Sequence, residues 1–319
     1  LKEYCEVVYL ERTEGVSSSE LRAEKRDIRL GMVGDAAFLN KIYKESKYVN
    51  GLKISGVYSG NRSRFSEELT NMGVESYEKL LKLSDAVYIR SLPQDHYSQI
   101  KLALNEGKHV ICESPLTLDT DEANELYDLA KKNKVVLMDA IKTAYSTAYL
   151  RLLLLIKSGK IGDVISLDST CTSLAKHKTD WPGFYEWAPT ALLPIIQILG
   201  NCNRTSIVSH SSEENSDLFS KIILVYDSAI ATASVGDGVK SEGQLIISGT
   251  KGYIYVPAPW WKTDYFEIRY ENPNDNRRYF YQLDGEGIRY ELVEFVRTIE
   301  NSKNTFNIDK ATSLEIISI

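Results

Sequence analysis

The residues with most chemistry to offer stand at the ends of short apolar segments. Gly34-Asp-Ala-Ala-Phe-Leu39 follows the apolar run Ile28–Val33, where the first strand-to-helix turn of a dinucleotide-binding fold carries Gly-x-Gly-x-x-Gly/Ala. The first glycine is kept at Gly34, while Ala36 and Leu39 take the other two positions. The second glycine ordinarily lets backbone approach a pyrophosphate, and the third lets helix and strand close up. Gly34, Ala36, Ala37 and Phe38 are therefore candidates for the phosphate end of a nucleotide site, with a merely structural turn as the alternative. The next apolar segment ends in Val57-Tyr-Ser-Gly-Asn-Arg-Ser-Arg64, with Ser59 but no carboxylate to accept from ribose hydroxyls. Arg62 and Arg64 suit a 2′-phosphate, favouring NADP over NAD, or are solvated charges at a helix start. Further along, Ser91, His96, Glu113-Ser114-Pro115 and Lys142 follow apolar segments in the same way.

These positions need a frame that brings segment ends together, and the alternation supplies one. Ile28–Val33, Leu52–Tyr58, Ala86–Ile89, His109–Cys112 and Val135–Met138 read as strands. Between them, Phe38–Val49, Arg62–Met72, Tyr97–Glu106 and Asp119–Asn133 read as helices. Strands and helices alternating at these lengths predict a Rossmann-like doubly wound parallel sheet over residues 27–145. After Tyr145 comes a helix, Tyr149–Ser158, and then longer alternating strands: Val164–Thr172, Thr205–His210, Ser220–Tyr226, Ala229–Val235, Gln244–Ser248 and Tyr253–Val256. A last amphipathic helix runs from Gly287 to Asn301. Residues 146–319 therefore form an α+β domain with a large, mostly antiparallel sheet, the whole being of the α/β class.

Ordered blocks within this frame carry a family resemblance. Asp85-Ala-Val-Tyr-Ile, His96-Tyr, Glu106-Gly-Lys-His-Val-Ile-Cys-Glu-Ser-Pro-Leu-Thr-Leu and Val136-Leu-Met-Asp-Ala resemble successive blocks of the Gfo/Idh/MocA oxidoreductases. So do Leu154-Ile-Lys-Ser-Gly-Lys-Ile-Gly-Asp-Val, Gly249-Thr-Lys-Gly-Tyr-Ile-Tyr-Val-Pro-Ala-Pro-Trp-Trp and Arg289-Tyr-Glu-Leu-Val-Glu-Phe, the last of these looking closest to the dihydrodiol and sugar dehydrogenase branch. The resemblance implies NAD or NADP as cofactor, held by residues including Gly34, Ala36, Ala37, Phe38, Ser59, Arg62, Ser91, His96 and Glu113. It implies a sugar, polyol or polyol phosphate as substrate, and a homo-oligomer paired through the broad sheet.

The chain departs from that family where chemistry is expected. Family members usually carry Glu-Lys-Pro where this chain has Glu113-Ser114-Pro115, and a serine hydroxyl is a poor acid–base group near neutral pH. The family's helix of pattern Asp-x-Gly-x-His/Tyr-x-x-Asp corresponds to Glu186–Leu193, which puts Thr190 and Leu193 at the two last polar positions. Ser114, Lys142, Thr190 and Glu186 are the candidate catalytic residues; Tyr145, His96, Lys176, His177, Asp180 and Tyr185 are further groups able to reach the crevice. Arg90, where the family has a small residue, would contact an anion or block the dinucleotide. Trp260 and Trp261 are expected to pack the sheet or a subunit interface.

The N-terminus is of another kind. Glu6–Leu10 reads as a strand, and Arg12-Thr-Glu-Gly-Val-Ser-Ser-Ser-Glu-Leu-Arg22 resembles the C-terminal Arg-Thr-x-Gly-Ile-Ser-Thr-Thr signature of glycerol-3-phosphate-type cytidylyltransferases. There, a hydroxyl-rich helix start holds the triphosphate. Residues 1–26 are accordingly expected to be the tail of an upstream cytidylyltransferase domain, whose His-x-Gly-His motif is not in this chain, or else a chance capping box at Ser17 and Glu20.

Bulk properties narrow the classes. Of 319 residues, 43% are hydrophobic and 26% charged, with a net charge of -6, which disfavours a nucleic-acid partner. Cys5, Cys112, Cys171 and Cys202 have no metal or disulfide spacing, and no apolar run spans a bilayer, so no metal, no membrane, no signal peptide and a cytoplasmic location are expected. Beside a third idea, that the crevice binds a nucleotide or sugar phosphate without reacting, two functions remain open. One is hydride transfer between NAD(P) and a sugar-like substrate, beside a fused cytidylyltransferase. The other is a catalytically inactive relative serving that transferase as scaffold or ligand sensor.

Overall fold

The computed structural model describes residues 27–174, 181, 183–211, 218–301 and 306–319. The expected cytidylyltransferase tail, Lys176, His177 and Asp180 lie outside the described residues.

Five short strands, β1 (Ile28–Val33), β2 (Leu52–Tyr58), β3 (Ala86–Ile89), β4 (His109–Glu113) and β5 (Leu137–Ala140), form one sheet in the order β2-β1-β3-β4-β5. Every neighbouring pair is parallel. β3 and β5 are buried at every residue, as strands covered by helices on both faces must be. Because the strands run one way, the segments after β1, β2, β3, β4 and β5 emerge along one edge, and this is what gathers the candidate residues.

The second sheet holds β6 (Val164–Ser173), β7 (Arg204–His210), β8 (Phe219–Val225), β9 (Ile230–Asp237), β10 (Leu245–Gly249), β11 (Tyr253–Val256), β12 (Tyr265–Arg269) and β13 (Arg277–Phe280). Its order is β13-β12-β11-β10-β6-β9-β8-β7, antiparallel throughout except for the parallel pair β6–β9. Burial alternates along β8, so one face turns to the core. There the helix Gly183–Leu199 lies on β6 and β9. One apolar core runs from Leu30 and Met32 of the first sheet to Leu167, Ala233 and Phe266 of the second, beside a separate cluster around Val87, Leu104 and Leu126. The short 3-10 turn Lys142–Tyr145 and the helix Thr147–Lys157 join the two.

Some elements differ from the sequence expectation. The helix expected over 62–72 is only Glu67–Asn71, because Ser66 caps it through the amide of Leu69 while Asn61 bonds the amide of Ser63 upstream. The helix expected to reach Val49 ends at Ser46, and that expected from Tyr97 begins at Pro93, whose missing N–H is no loss at a first turn. The helix Tyr77–Leu83, β12, β13 and the helix Lys310–Ser318 are short elements without strong periodicity, and the sequence reading passes over them.

Candidate functional site

Gly34 ends β1 at φ 129°, and a Cβ there would lie 2.1 Å from the carbonyl oxygen of Arg90. Only glycine allows β1 and β3 to approach this closely at their ends. The turn then feeds the helix Leu39–Ser46, whose Leu39 is wholly buried in the core, so the third-glycine position is filled by packing. Asp35 points from the turn to the loop after β2. Its Oδ1 accepts from Ser59 Oγ at 2.7 Å, from the Gly60 amide at 2.8 Å and from the Asn61 amide at 3.2 Å. A carboxylate thus stands at the end of β2 after all, carried there from the neighbouring turn.

Two adjoining cavities open along this edge. The first, of about 240 Å³, is lined by Gly34, Asp35, Ala36, Ser59, Arg64, Ser91 and Gln99 among others. The second, of about 630 Å³, includes Ala36, Ala37, Phe38, Glu113, Ser114, Lys142, Glu186 and Thr190 in its walls. Both are in or near the size range of small-molecule sites. Ala36, Arg64, Arg90 and Trp181 line both, so the two form one trough along the strand ends.

The trough fits a dinucleotide in its first half: a glycine-opened turn, a helix start and an acceptor at the β2 loop lie in sequence. Arg90 marks the middle. Its guanidinium stacks over the Trp181 ring at 3.6 Å and its Nη2 donates to Glu186 at 2.5 Å. The residue is only 6% exposed, and among the described residues its Nη1 has no hydrogen-bond partner.

Two expected cofactor residues lie elsewhere. Arg62 donates to the Val74 carbonyl at 2.6 Å with its guanidinium over Gly73, so it braces the β2 loop and leaves Arg64 as the arginine facing the trough. His96 is fully buried, with Nδ1 at 2.8 Å from the Pro115 carbonyl and Nε2 at 3.1 Å from the Ser91 carbonyl, which also accepts from Trp181 at 2.7 Å. Burial pushes its pKa down to about 4, so the ring is neutral and its one N–H is donated to one of these two carbonyls while the other nitrogen is only in contact.

In the second cavity, Lys142 is one of the ionisable groups in the lining. It follows β5 and its Nζ sits 5.1 Å from the Phe38 ring centroid. Burial, then the Lys262 charge, lowers its pKa from the ordinary lysine range. Glu113 receives the hydroxyl of Tyr88, and burial raises its pKa in spite of Arg90. Lys41, Lys142 and Lys262 converge on Glu286, with Nζ to carboxylate distances of 2.9, 3.4 and 2.8 Å. Burial opposes the Glu286 charge, but bonds from Lys262 and Lys41 hold its pKa at about 2. Trp261, expected to pack only, is also a wall residue, in edge contact with Trp187 at 5.4 Å. The sequence reading missed Asp35, Lys41, Trp181, Trp187, Lys262 and Glu286. The glycines flanking Glu286 were the one local signal, since they isolate a charge in a sharp turn.

Behind the site, Asp139 of β5 is buried and accepts from Ser313 Oγ at 2.5 Å. Burial pushes its carboxyl up to about 6. The folded state therefore holds its proton more tightly than the unfolded chain, and stability falls as pH rises from about 4 to about 6. His96, with its depressed value, acts in the opposite sense over the same range. Relative to the native chain, Asp139→Asn is expected to gain about 3 kcal/mol of stability across that interval, measured by urea unfolding at several pH values. A difference independent of pH would contradict it.

Residues 28–140 match the Gfo/Idh/MocA family model, described as an oxidoreductase family with an NAD-binding Rossmann fold. The chain is 32% identical over 124 residues to scyllo-inositol 2-dehydrogenase (NADP(+)) IolU of Bacillus subtilis, covering 37% of this chain and 38% of that protein. It is 26% identical over 242 residues to trans-1,2-dihydrobenzene-1,2-diol dehydrogenase of Xenopus tropicalis, covering 70% of this chain and 72% of that one. In three curated relatives at 32–37% identity, the matched stretch spans only 25–38% of their length. In fold, the chain is similar to KijD10, a 3-ketoreductase from Actinomadura kijaniata solved with TDP-benzene and NADP, with a TM-score of 0.79 at 17% identity, covering 92% of this chain and 96% of that one.

Proposed function

We propose, on the premise that residues 28–140 are a Rossmann domain of the Gfo/Idh/MocA oxidoreductase family, that this chain is an NAD(P)-dependent oxidoreductase acting on a sugar, polyol or polyol phosphate. The observation that carries this reading is Lys142, a largely buried amine with a lowered pKa in the cavity that adjoins the dinucleotide turn. It stands in for the lysine that Ser114 replaces. Gly34, Ala36, Ser59 and Ser91 would hold the cofactor along the first cavity, and Glu113 and Ser114 line the adjoining one. When bound, the cofactor takes or gives the hydride. In alcohol oxidation, neutral Lys142 accepts the hydroxyl proton; in carbonyl reduction, its ammonium returns one to oxygen. Thr190 and Ser114 orient the substrate's hydroxyls, and Glu186 keeps Arg90 in place.

Asp35 bears on cofactor choice. Its carboxylate suits a ribose diol and repels a 2′-phosphate, opposing the preference for NADP that the two arginines suggest. NADH is expected to bind about tenfold more tightly than NADPH, a difference of about 1.4 kcal/mol, and Asp35→Asn to narrow that ratio. Competitive titration of the two nucleotides checks it, and equal affinities for both would refute this role of Asp35.

In the same reading, residues 1–26 are the end of an upstream cytidylyltransferase domain, so the two activities share one cytoplasmic polypeptide. Copies pair through the outer face of the eight-stranded sheet, where Val208 and Ile230 are exposed. A second reading, a scaffold or ligand sensor without turnover, is favoured by one observation: the Arg90–Glu186 pair and Trp181 meet between the two cavities. Incubating the chain with NAD or NADP and a panel of polyols, sugars and their phosphates separates the two. Reduced nicotinamide accumulates if the chain is an enzyme; cofactor binding with no turnover across the panel leaves the sensor.

A further inference from the structure

We infer that the far wall of the second cavity is an anion subsite, so that the substrate is a phosphomonoester of a polyol or sugar. This deepens the oxidoreductase reading by naming the substrate class of the same site.

The argument starts from the turn Asp284–Gly287. Glu286 has φ 55° and ψ 24°, in the left-handed region that a side chain with a Cβ rarely adopts, between Gly285 at φ 56° and Gly287 at φ 94°. The turn is clamped from beneath. A Cβ on Gly285 would lie 2.3 Å from Glu45 Oε2, and Arg289 holds that oxygen from Nε and Nη2 at 3.1 and 3.0 Å. The backbone thus keeps an unfavourable conformation that places one carboxylate among Lys41, Lys142 and Lys262. A structural ion-pair network would balance its charges. Here three lysines surround one carboxylate, and the cavity lining as a whole has more basic residues (Lys41, Arg64, Arg90, Lys142 and Lys262) than acidic ones (Glu113, Glu186 and Glu286).

Unused donors point the same way. Among the described residues, Arg90 Nη1 and the indole Nε1 of Trp187 have no partner, and both residues line this cavity. A cavity with an excess of basic residues and spare N–H groups in its lining is complementary to a ligand rich in acceptors and carrying about two negative charges, as a phosphomonoester does near pH 7. Glu286 then acts as a spacer. It holds Lys41 and Lys262 apart and oriented while no anion is bound, and it leaves Lys142 for the hydroxyl. The arrangement also accounts for Thr190 and Leu193: a substrate anchored through phosphate needs fewer polar contacts along its carbon chain.

Sorbitol 6-phosphate and sorbitol, titrated by calorimetry against the full chain without nucleotide, form the test. The phosphate ester is expected to bind at least about tenfold more tightly than the neutral polyol, with an affinity that falls as salt rises. Lys262→Gln should weaken the ester about tenfold and leave sorbitol unchanged, and so should Lys41→Gln, at a position too exposed to threaten folding. Glu286→Gln is the discriminating variant. It should tighten the ester several-fold if the cluster is an anion site, whereas a merely structural network would be loosened and the ester bound more weakly. Equal binding of ester and polyol, or weaker ester binding by a folded Glu286→Gln chain, would overturn the inference. Since no nucleotide is present, failure of the oxidoreductase reading would show separately, as absent nicotinamide binding with the phosphate preference intact.

Discussion

Replacing Lys142 by methionine is expected to lower turnover by ~10²–10⁴ while leaving nicotinamide binding intact, the range that loss of a positioned acid–base group ordinarily costs. Methionine keeps the apolar stem against Phe38 and removes the amine alone. In alcohol oxidation, where neutral Lys142 is the base, the kcat/KM profile should show an acid limb set by a pKa below the ordinary lysine range, because burial and the Lys262 charge both disfavour the ammonium. In Lys262→Gln one of those two terms is gone, so the limb should move toward higher pH. A methionine variant with native kcat, or a limb that does not respond to Lys262, would assign the proton to another group.

The second large effect belongs to Gly34. Gly34→Ala places a methyl carbon against the Arg90 carbonyl in a backbone conformation that alanine resists, and that carbonyl is backbone, which cannot swing aside. Destabilisation of at least ~3 kcal/mol is expected, together with loss of nicotinamide binding as β1 and β3 part at the mouth of the trough. Urea unfolding and nucleotide titration of the same variant check both consequences. An alanine variant with native stability would mean that the strand ends have slack, and the close approach would lose its explanatory role.

Much of this architecture was legible in the chain because it depends on local period and turn chemistry. Strands β1 to β5 announce themselves as short apolar runs between helices, and parallel pairing then puts their following loops on one edge. That is why Gly34, Ala36, Ser114 and Lys142 could be grouped before any geometry was known. Side-chain direction was not legible in the same way. Arg62 and Arg64 are two residues apart in a loop, and only the fold shows that one braces Val74 while the other faces the trough. His96 reads as a polar loop residue, yet it is closed in by the Pro115 and Ser91 carbonyls and by Trp181.

Long-range partners were the least accessible. Glu286 meets Lys41 across 245 residues and Lys142 across 144, and nothing in the local sequence of any of them reports the other. Asp35 illustrates a subtler limit. The end of β2 has no carboxylate of its own, but the neighbouring turn delivers one to the same place. Substituted motifs are therefore poor evidence for lost chemistry until the fold shows what has moved into the vacated position. Ser114 and Lys142 line one cavity, and Asp35 stands at the loop after β2.

Calorimetric titration of the full chain with NADH tests the central claim most directly. The account predicts saturable binding with a Kd of order micromolar, ~8 kcal/mol, reduced sharply in Gly34→Ala and unchanged in Lys142→Met. No binding at roughly millimolar NADH or NADPH by a folded chain would contradict it, and the trough would then serve a ligand other than a dinucleotide.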